Sequence, residues 1–308
     1  MPYHLREINR RVRSDVRGFL EESDEVYHKK VSGAAEHISQ RARISPVVFL
    51  SGPSGSGKTT TAEKISAELQ RRGIRSHTIS MDDYYKTIDP CTAPRSETGE
   101  IDYESPELLD TELLREHFSR LESGGEILIP RFDFVRQVRS EQPPRPFRLG
   151  KNEIAIFEGI HALNDRITGQ YPQAYRLYIS ARSNVEDGKE ICFKGTWIRL
   201  VRRIVRDYQF RGNDAEYTMR LWAGVRRGEK LYISPYKESA DLLFDSSLPY
   251  EVSVLKNLAS RLLTEIPPDV PRRAELCELV RNLELFESIE PALVEPDSLL
   301  REFIGGET

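Results

Sequence analysis

Cysteine is scarce in this chain. Its 308 residues hold three, Cys91, Cys192 and Cys277, far apart and without C-x-x-C spacing. That excludes a disulfide framework or a cysteine-built zinc site and points to a reducing compartment. Long hydrophobic runs are missing too. No apolar stretch approaches the ~20 residues a membrane span requires, and the first residues, Met1-Pro2-Tyr3-His4-Leu5-Arg6, lack the apolar centre of a signal peptide. The expectation is a cytoplasmic protein with no membrane partner. Positive charge is not in excess: 45 Lys and Arg stand against 49 Asp and Glu, for a net charge of −4. That argues against nucleic acid as a partner. Internal repeats and low-complexity tracts are also absent.

What is present is a patterned, folded chain. Hydrophobic residues make up 38% and recur along the whole length, enough for a sizeable core. Residues 1–44 carry apolar positions at helical spacing (Val12, Val16, Phe19, Leu20, then Val26, Val31, Ala34, Ile38) and read as one or two amphipathic helices. The period then changes. Pro46-Val47-Val48-Phe49-Leu50 is a continuous apolar run, as in a buried parallel strand. A Gly-rich turn and a helix from about Lys58 to Arg72 follow, and residues 74–81 read as a second strand. Ser105-Pro106-Glu107 opens a further helix, with Ser as cap and Pro at the first position, reaching to Gly124-Gly125. Further strands are expected at Ile127–Ile129, Ile154–Phe157 and Leu177–Ile179, with a Pro-rich turn over 141–150. Strands alternating with helices imply an α/β fold with a mostly parallel sheet covered on both faces. The expected organisation is a helical extension over 1–44, a core domain over 45–266 and a helical tail over 267–308, the last set off by Pro267-Pro268.

One motif is complete. Gly52-Pro53-Ser54-Gly55-Ser56-Gly57-Lys58-Thr59 matches G-x-x-x-x-G-K-[ST], between a predicted strand and a predicted helix. The chemistry needs that spacing. Glycines let successive backbone N–H groups turn inward and cradle phosphate oxygens, and the helix points its positive end at the same anion. Gly52, Ser54, Gly55, Ser56, Gly57, Lys58, Thr59 and Thr60 are therefore the candidate ATP-binding residues. Lys58 would neutralise β/γ-phosphate charge, and the Thr59 hydroxyl would serve Mg²⁺. A glycine-rich turn with no ligand is the bland alternative.

Two acidic positions follow apolar strands, where ligands of open α/β sheets bind. Glu158 reads as the second residue near Mg²⁺. Asp82 or Asp83 reads as general base toward an acceptor hydroxyl. Arg199, Arg202, Arg203 and Arg206 fall at i, i+3, i+4 and i+7, on one helix face, with Leu200, Val201, Ile204 and Tyr208 opposite. Arg211 follows. Beside a triphosphate site such a stripe is suited to a lid, about residues 190–215, that clamps the transferring group.

Taken in order, the P-loop, Met81-Asp82-Asp83-Tyr84-Tyr85, Ile101-Asp102-Tyr103, Pro130-Arg131-Phe132-Asp133-Phe134, Phe157-Glu158-Gly159-Ile160 and the arginine segment resemble the uridine kinase / phosphoribulokinase superfamily, closest to the bacterial uridine kinase-like nucleoside kinases. The resemblance spans about 46–265, and the ending Ser298–Gly306 is also similar to that subgroup. It implies a P-loop NTPase fold with a five-stranded parallel sheet and a mobile lid. It implies Asp82 as the catalytic acid, Asp102 on ribose hydroxyls, Arg199 on the nucleoside, Tyr85 and Phe132 beside the acceptor, and Arg202, Arg206 and Arg211 in the phosphate clamp. The chain departs from the family at Ile101, where an aromatic is usual, at Val135-Arg136-Gln137, where a His is usual, and at Asn213, where an Arg is usual. Three functions are compatible: a uridine- or cytidine-like nucleoside kinase, a kinase of another hydroxylated metabolite (sugar, sugar acid or vitamin), and a nucleotide-dependent regulatory ATPase. The terminal extensions leave room for a homo-oligomer.

Overall fold

The computed structural model describes residues 2–306. The apolar run after Pro46 forms β1 (Val47–Ser51), buried throughout. Val47 and Phe49 enter one core and Val48 and Leu50 the other, so these four positions are all apolar, and the buried Ser51 that ends the strand donates its hydroxyl to the Ile160 carbonyl at 2.8 Å. β2 (Arg75–Ser80), β3 (Glu153–Glu158), β4 (Tyr175–Ser180) and β5 (Leu242–Asp245) complete the sheet. Its order is β5-β4-β1-β3-β2, with every pairing parallel. The helices on its faces include α1 (Leu5–Ser14), α2 (Val16–Arg41), α3 (Lys58–Arg71), α4 (Thr111–Glu122), α5 (Gly195–Phe210), α6 (Ala215–Gly228), α7 (Glu251–Thr264) and α8 (Arg273–Leu283). On the α4 side, Phe49, Phe118 and Phe157 pack edge-to-face with centroids 4.9 and 4.7 Å apart, a favoured aromatic geometry.

Three sequence expectations are corrected. The 127–129 strand exists as Glu126–Ile129 but lies off the main sheet, in an antiparallel ribbon with Arg145–Arg148. Its burial alternates, the mark of a strand with one wet face rather than two covered ones. Its partner lies within the Pro-rich stretch read as a turn, where Pro146 is tolerated because an edge strand needs fewer donors. The fifth place in the sheet belongs to β5. The helix expected from Ser105 to Gly124 is two elements. A 3₁₀ turn (Pro106–Leu108) is capped by Ser105, Leu109 then extends to bridge Tyr85, and Asp110 caps α4 by accepting from the Leu113 N–H at 3.2 Å.

Both extensions join the principal core. Tyr27 of α2 bonds Thr61 of α3 at 2.8 Å, and the Tyr250 hydroxyl lies 2.7 Å from both Asp24 and Ser298. The tail is less helical than expected, with α8 followed mostly by turns. Its Leu299 side chain touches Gly57, and Glu302 accepts a 2.7 Å hydrogen bond from Thr60. No helix of the described residues is long and apolar enough to cross a membrane.

Candidate active site

The sheet register brings the chemistry to one edge. Leu50 and Ser80 both lie opposite Glu158, so the chain leaves β1, β2 and β3 together. From β1 it enters the P-loop. Gly55 and Gly57 have φ of +74° and +77°, a region that L side chains rarely adopt. A side chain at Gly52 would overlap the Ile179 carbonyl. Lys58, at the start of α3, makes no ion pair among the described residues, and Ser56 Oγ is buried without a hydrogen-bond partner. An unpaired cation, an orphaned buried hydroxyl and a helix N-terminus at one turn suit a phosphate chain.

From β2 the chain enters a 3₁₀ turn, Met81–Tyr84, capped by Ser80. The Ser80 hydroxyl also donates to Glu158 at 3.1 Å. The two candidate bases now separate. Burial, then the neighbouring Glu158 charge, push the Asp82 carboxyl up to about 6 against the pull of Lys58. Asp83 faces away, toward the Phe132 backbone N–H and Arg131, Arg145 and Arg139. Asp82 is the acid that faces the P-loop lysine. For Mg²⁺, the hard oxygens of Thr59 and Glu158 are the right donor type. Among the described residues no cluster of three or more acids, His or Cys forms a self-contained metal cage, and Mg²⁺ of phosphoryl-transfer sites is usually held by one or two protein oxygens plus the phosphates.

The arginine helix differs from the expected lid. Both faces of α5 are covered. Arg199 and Arg202 are only 2% and 0% exposed, whereas Tyr208, expected to pack, is exposed. Arg202 lies 2.5 Å from the fully buried Glu251 and also bonds the Ser246 and Gly55 carbonyls. It braces the P-loop through the Gly55 carbonyl. Arg199 is forked to Glu229 at 2.8 and 2.9 Å and donates to the Ser54 carbonyl. That engages the guanidinium expected to meet the nucleoside. Burial explains both pairings: a charge so deep must be paired. Arg203, Arg206 and Arg211 converge instead on the buried Asp207, at 3.2, 2.8 and 3.5 Å. Arg203 also reaches Ser54 Oγ at 3.0 Å. Of these three, Arg203 contacts the P-loop itself, and Arg211 lies within electrostatic reach of Asp82.

Beyond the Met81–Tyr84 turn, Tyr85, Phe132 and Phe134, the first two expected beside the acceptor, form an aromatic cluster with centroids 5.1–6.4 Å apart. Asp102 is buried and engaged at both oxygens: Oδ1 by Arg227 at 2.7 Å, Oδ2 by the Tyr232 hydroxyl at 3.0 Å. Two residues on, Glu104 is half-buried and its carboxyl is pushed up to about 7, chiefly by burial; Arg203 and Lys58 pull it down, and Asp102 and Asp82 push it up. His161, 1% exposed, has neither ring nitrogen in a well-formed hydrogen bond. Burial holds it neutral, with a pKa lowered to about 4, beside the Glu104 and Tyr232 carbonyls. Glu104, Asp207, Arg227, Tyr232 and His161 were not among the expected site residues. Arg203 sat in the stripe in plain view. Arg227 and Tyr232 are 125 and 130 residues from Asp102, and no local signal links them.

A P-loop at a strand–helix junction, an acid of raised pKa facing its lysine, and an arginine helix lying across it define a P-loop kinase, a phosphotransferase acting on a hydroxyl group. The comparisons make the class specific. The chain belongs to the phosphoribulokinase / uridine kinase family, whose model matches residues 47–253. It is 29% identical over 208 residues to a uridine kinase of Mycoplasma genitalium, covering 67% of this chain and 88% of that one. It is 29% identical over 197 residues to a uridine kinase of Halobacterium salinarum, covering 64% and 78%. A solved structure described as a possible uridine kinase from Bacillus stearothermophilus aligns at a TM-score of 0.45 and 20% identity, over 70% of this chain and 98% of that one. A kinase of this family binds a small-molecule acceptor, and the family implies ATP as the phosphoryl donor, usually with Mg²⁺.

Proposed function

We propose that the protein is a nucleoside kinase that transfers the γ-phosphoryl group of ATP to the 5′-hydroxyl of a uridine- or cytidine-like nucleoside. The observation that carries the reading is Asp82: it stands between Lys58 and Glu158 at the P-loop mouth, with its carboxyl held at about 6, and the Tyr85–Phe132–Phe134 cluster begins three residues away. Asp82 takes the proton of the acceptor hydroxyl, and a base whose pKa lies near working pH suits that task. Lys58 and the backbone donors of 55–59 orient the phosphate chain. Arg203, Arg206 and Arg211 exchange Asp207 for the transferring group as its charge spreads. Mg²⁺, held by Thr59 and Glu158, would add charge neutralisation at the phosphate oxygens. Aromatic faces at 85, 132 and 134 suit a flat base, and the uridine kinases among the relatives support that acceptor class.

A second reading, a kinase of another polyol, is favoured by one observation: Asp102, the resemblance's ribose ligand, is already engaged by Arg227 and Tyr232. ADP release with Mg·ATP against a panel of nucleosides, sugars and vitamins, beside a no-acceptor control, separates the two. Stimulation by uridine or cytidine is the expected result. Stimulation only by a non-nucleoside polyol transfers the reading to the second. ADP release indifferent to every acceptor sinks both.

A further inference from the structure

Asp102 and Glu104 stand on one short, rigid loop. Asp102 Oδ1 accepts from the Glu104 N–H at 3.3 Å, the Ser105 N–H bonds back to the Asp102 carbonyl at 3.0 Å, and Ser105 caps the next turn. The two carboxyls differ in what they have left to offer. Asp102 is engaged at both oxygens: a guanidinium holds one and a phenol the other. Freeing it for a ligand would take that partner from Arg227 and Tyr232, both partly exposed. The Glu104 carboxyl has no hydrogen bond and no ion pair among the described residues. It nevertheless lies within electrostatic reach of Lys58, Asp82 and Arg203, the groups that surround the transfer point.

Its position is built rather than incidental. The Glu104 side chain lies flat against Gly228 at the end of α6, where even a methyl group would overlap its Cβ and Cγ. Gly228 thus opens a slot through which the acid reaches the cleft. His161 packs below the same loop, its ring 6.3 Å from that of Tyr232. A half-buried, unpaired acid beside the catalytic one, aimed by a glycine slot, can both donate to and accept from a hydroxyl when neutral.

We propose that Glu104, rather than Asp102, hydrogen-bonds a second hydroxyl of the acceptor, and that Asp102 is a positioning residue which holds Arg227 and Tyr232 at the wall. The acceptor class is then a molecule with at least one free hydroxyl near the reacting one, read by an acid instead of a base-rich pocket. This rests on the kinase reading above.

The test compares uridine with 2′-deoxyuridine and 3′-deoxyuridine, using the full chain and Mg·ATP. If the panel has identified another polyol, that polyol and its deoxy analogues are used instead. In Glu104→Ala the acceptor KM rises about tenfold, the preference for the hydroxylated acceptor over a deoxy analogue shrinks by a similar factor, and the KM for ATP stays within about twofold, since a lost polar partner removes discrimination at that contact. Glu104→Gln keeps the shape and both hydrogen-bonding senses, so it retains most of the preference and guards against a mere folding defect. Unchanged acceptor KM and preference in Glu104→Ala would overturn the proposal, as would loss of preference in Asp102→Asn alone. If the wild-type protein releases ADP without regard to any acceptor, the kinase reading itself fails, an outcome distinct from an active wild type with an indifferent Glu104 variant.

Discussion

The burial that would make Asp82 the base of the proposed transfer also makes it costly to the ligand-free fold. Its carboxyl is raised from 3.8 to about 6, so the folded state holds this proton more tightly than the unfolded chain does. The carboxyl therefore lowers stability as pH rises from about 4 to 6, and the cost is fully present above that. Asp82→Asn should raise the ligand-free Tm at pH 7.5 by a few degrees, roughly 2–6 °C, read by scanning calorimetry and discounted for solvent screening. The same variant should lose about 10²–10⁴-fold in turnover with ADP binding intact. In the wild type, turnover should climb with pH through about 6 as the base ionises. A Tm rise without loss of turnover would reassign the base. Arg202 gives the opposite signature. Arg202→Ala strands the fully buried Glu251, so urea denaturation should show a loss of about 3–5 kcal/mol. A clamp residue on a solvent-facing lid would show a defect in activity and little in stability.

Among the elements, α6 meets the proposed acceptor contact at its last residue. Gly228→Ala closes the slot that Glu104 occupies. The expected outcome is a higher acceptor KM with the KM for ATP nearly unchanged, measured by steady-state ADP release; a rise in both would mean that α6 shifts as a whole. The elements also mark where a sequence is readable. β1, the P-loop and α3 could be placed because a doubly buried strand, a glycine turn and a helix closed by Gly73 each leave a local pattern at 47–73. The ribbon of Glu126–Ile129 with Arg145–Arg148 could not, because an apolar triplet reads alike in a central strand and in a one-faced edge. The arginine stripe of α5 was visible, but its division was not. Glu251, Glu229 and Asp207 decide which guanidiniums are spent on structure and which front the cleft, and two of those three acids lie on other helices. For the same reason the Asp102–Arg227–Tyr232 contact was beyond reach, since it depends on α6 folding back over the loop.

At the scale of the whole molecule, the extensions are part of the site's foundation. Tyr27 from α2 and Glu302 from the tail grip adjacent residues of α3, Thr61 and Thr60. A chain ending at residue 297 should unfold at lower temperature, and Mg·ADP should no longer protect it. In the intact protein, ADP at 100 times its Kd should add about 2.7 kcal/mol, visible as a Tm shift. Preserved protection in the shortened chain would make the tail a passive cover. The contact between Glu302 and Thr60 spans 242 residues, and that separation sets a schedule. At ribosomal speeds of about 5–20 residues per second, the phosphate loop emerges tens of seconds before the segment that steadies it. A nascent chain therefore lacks this brace on its phosphate loop until Glu302 has emerged, and one stalled before residue 298 should consume no ATP.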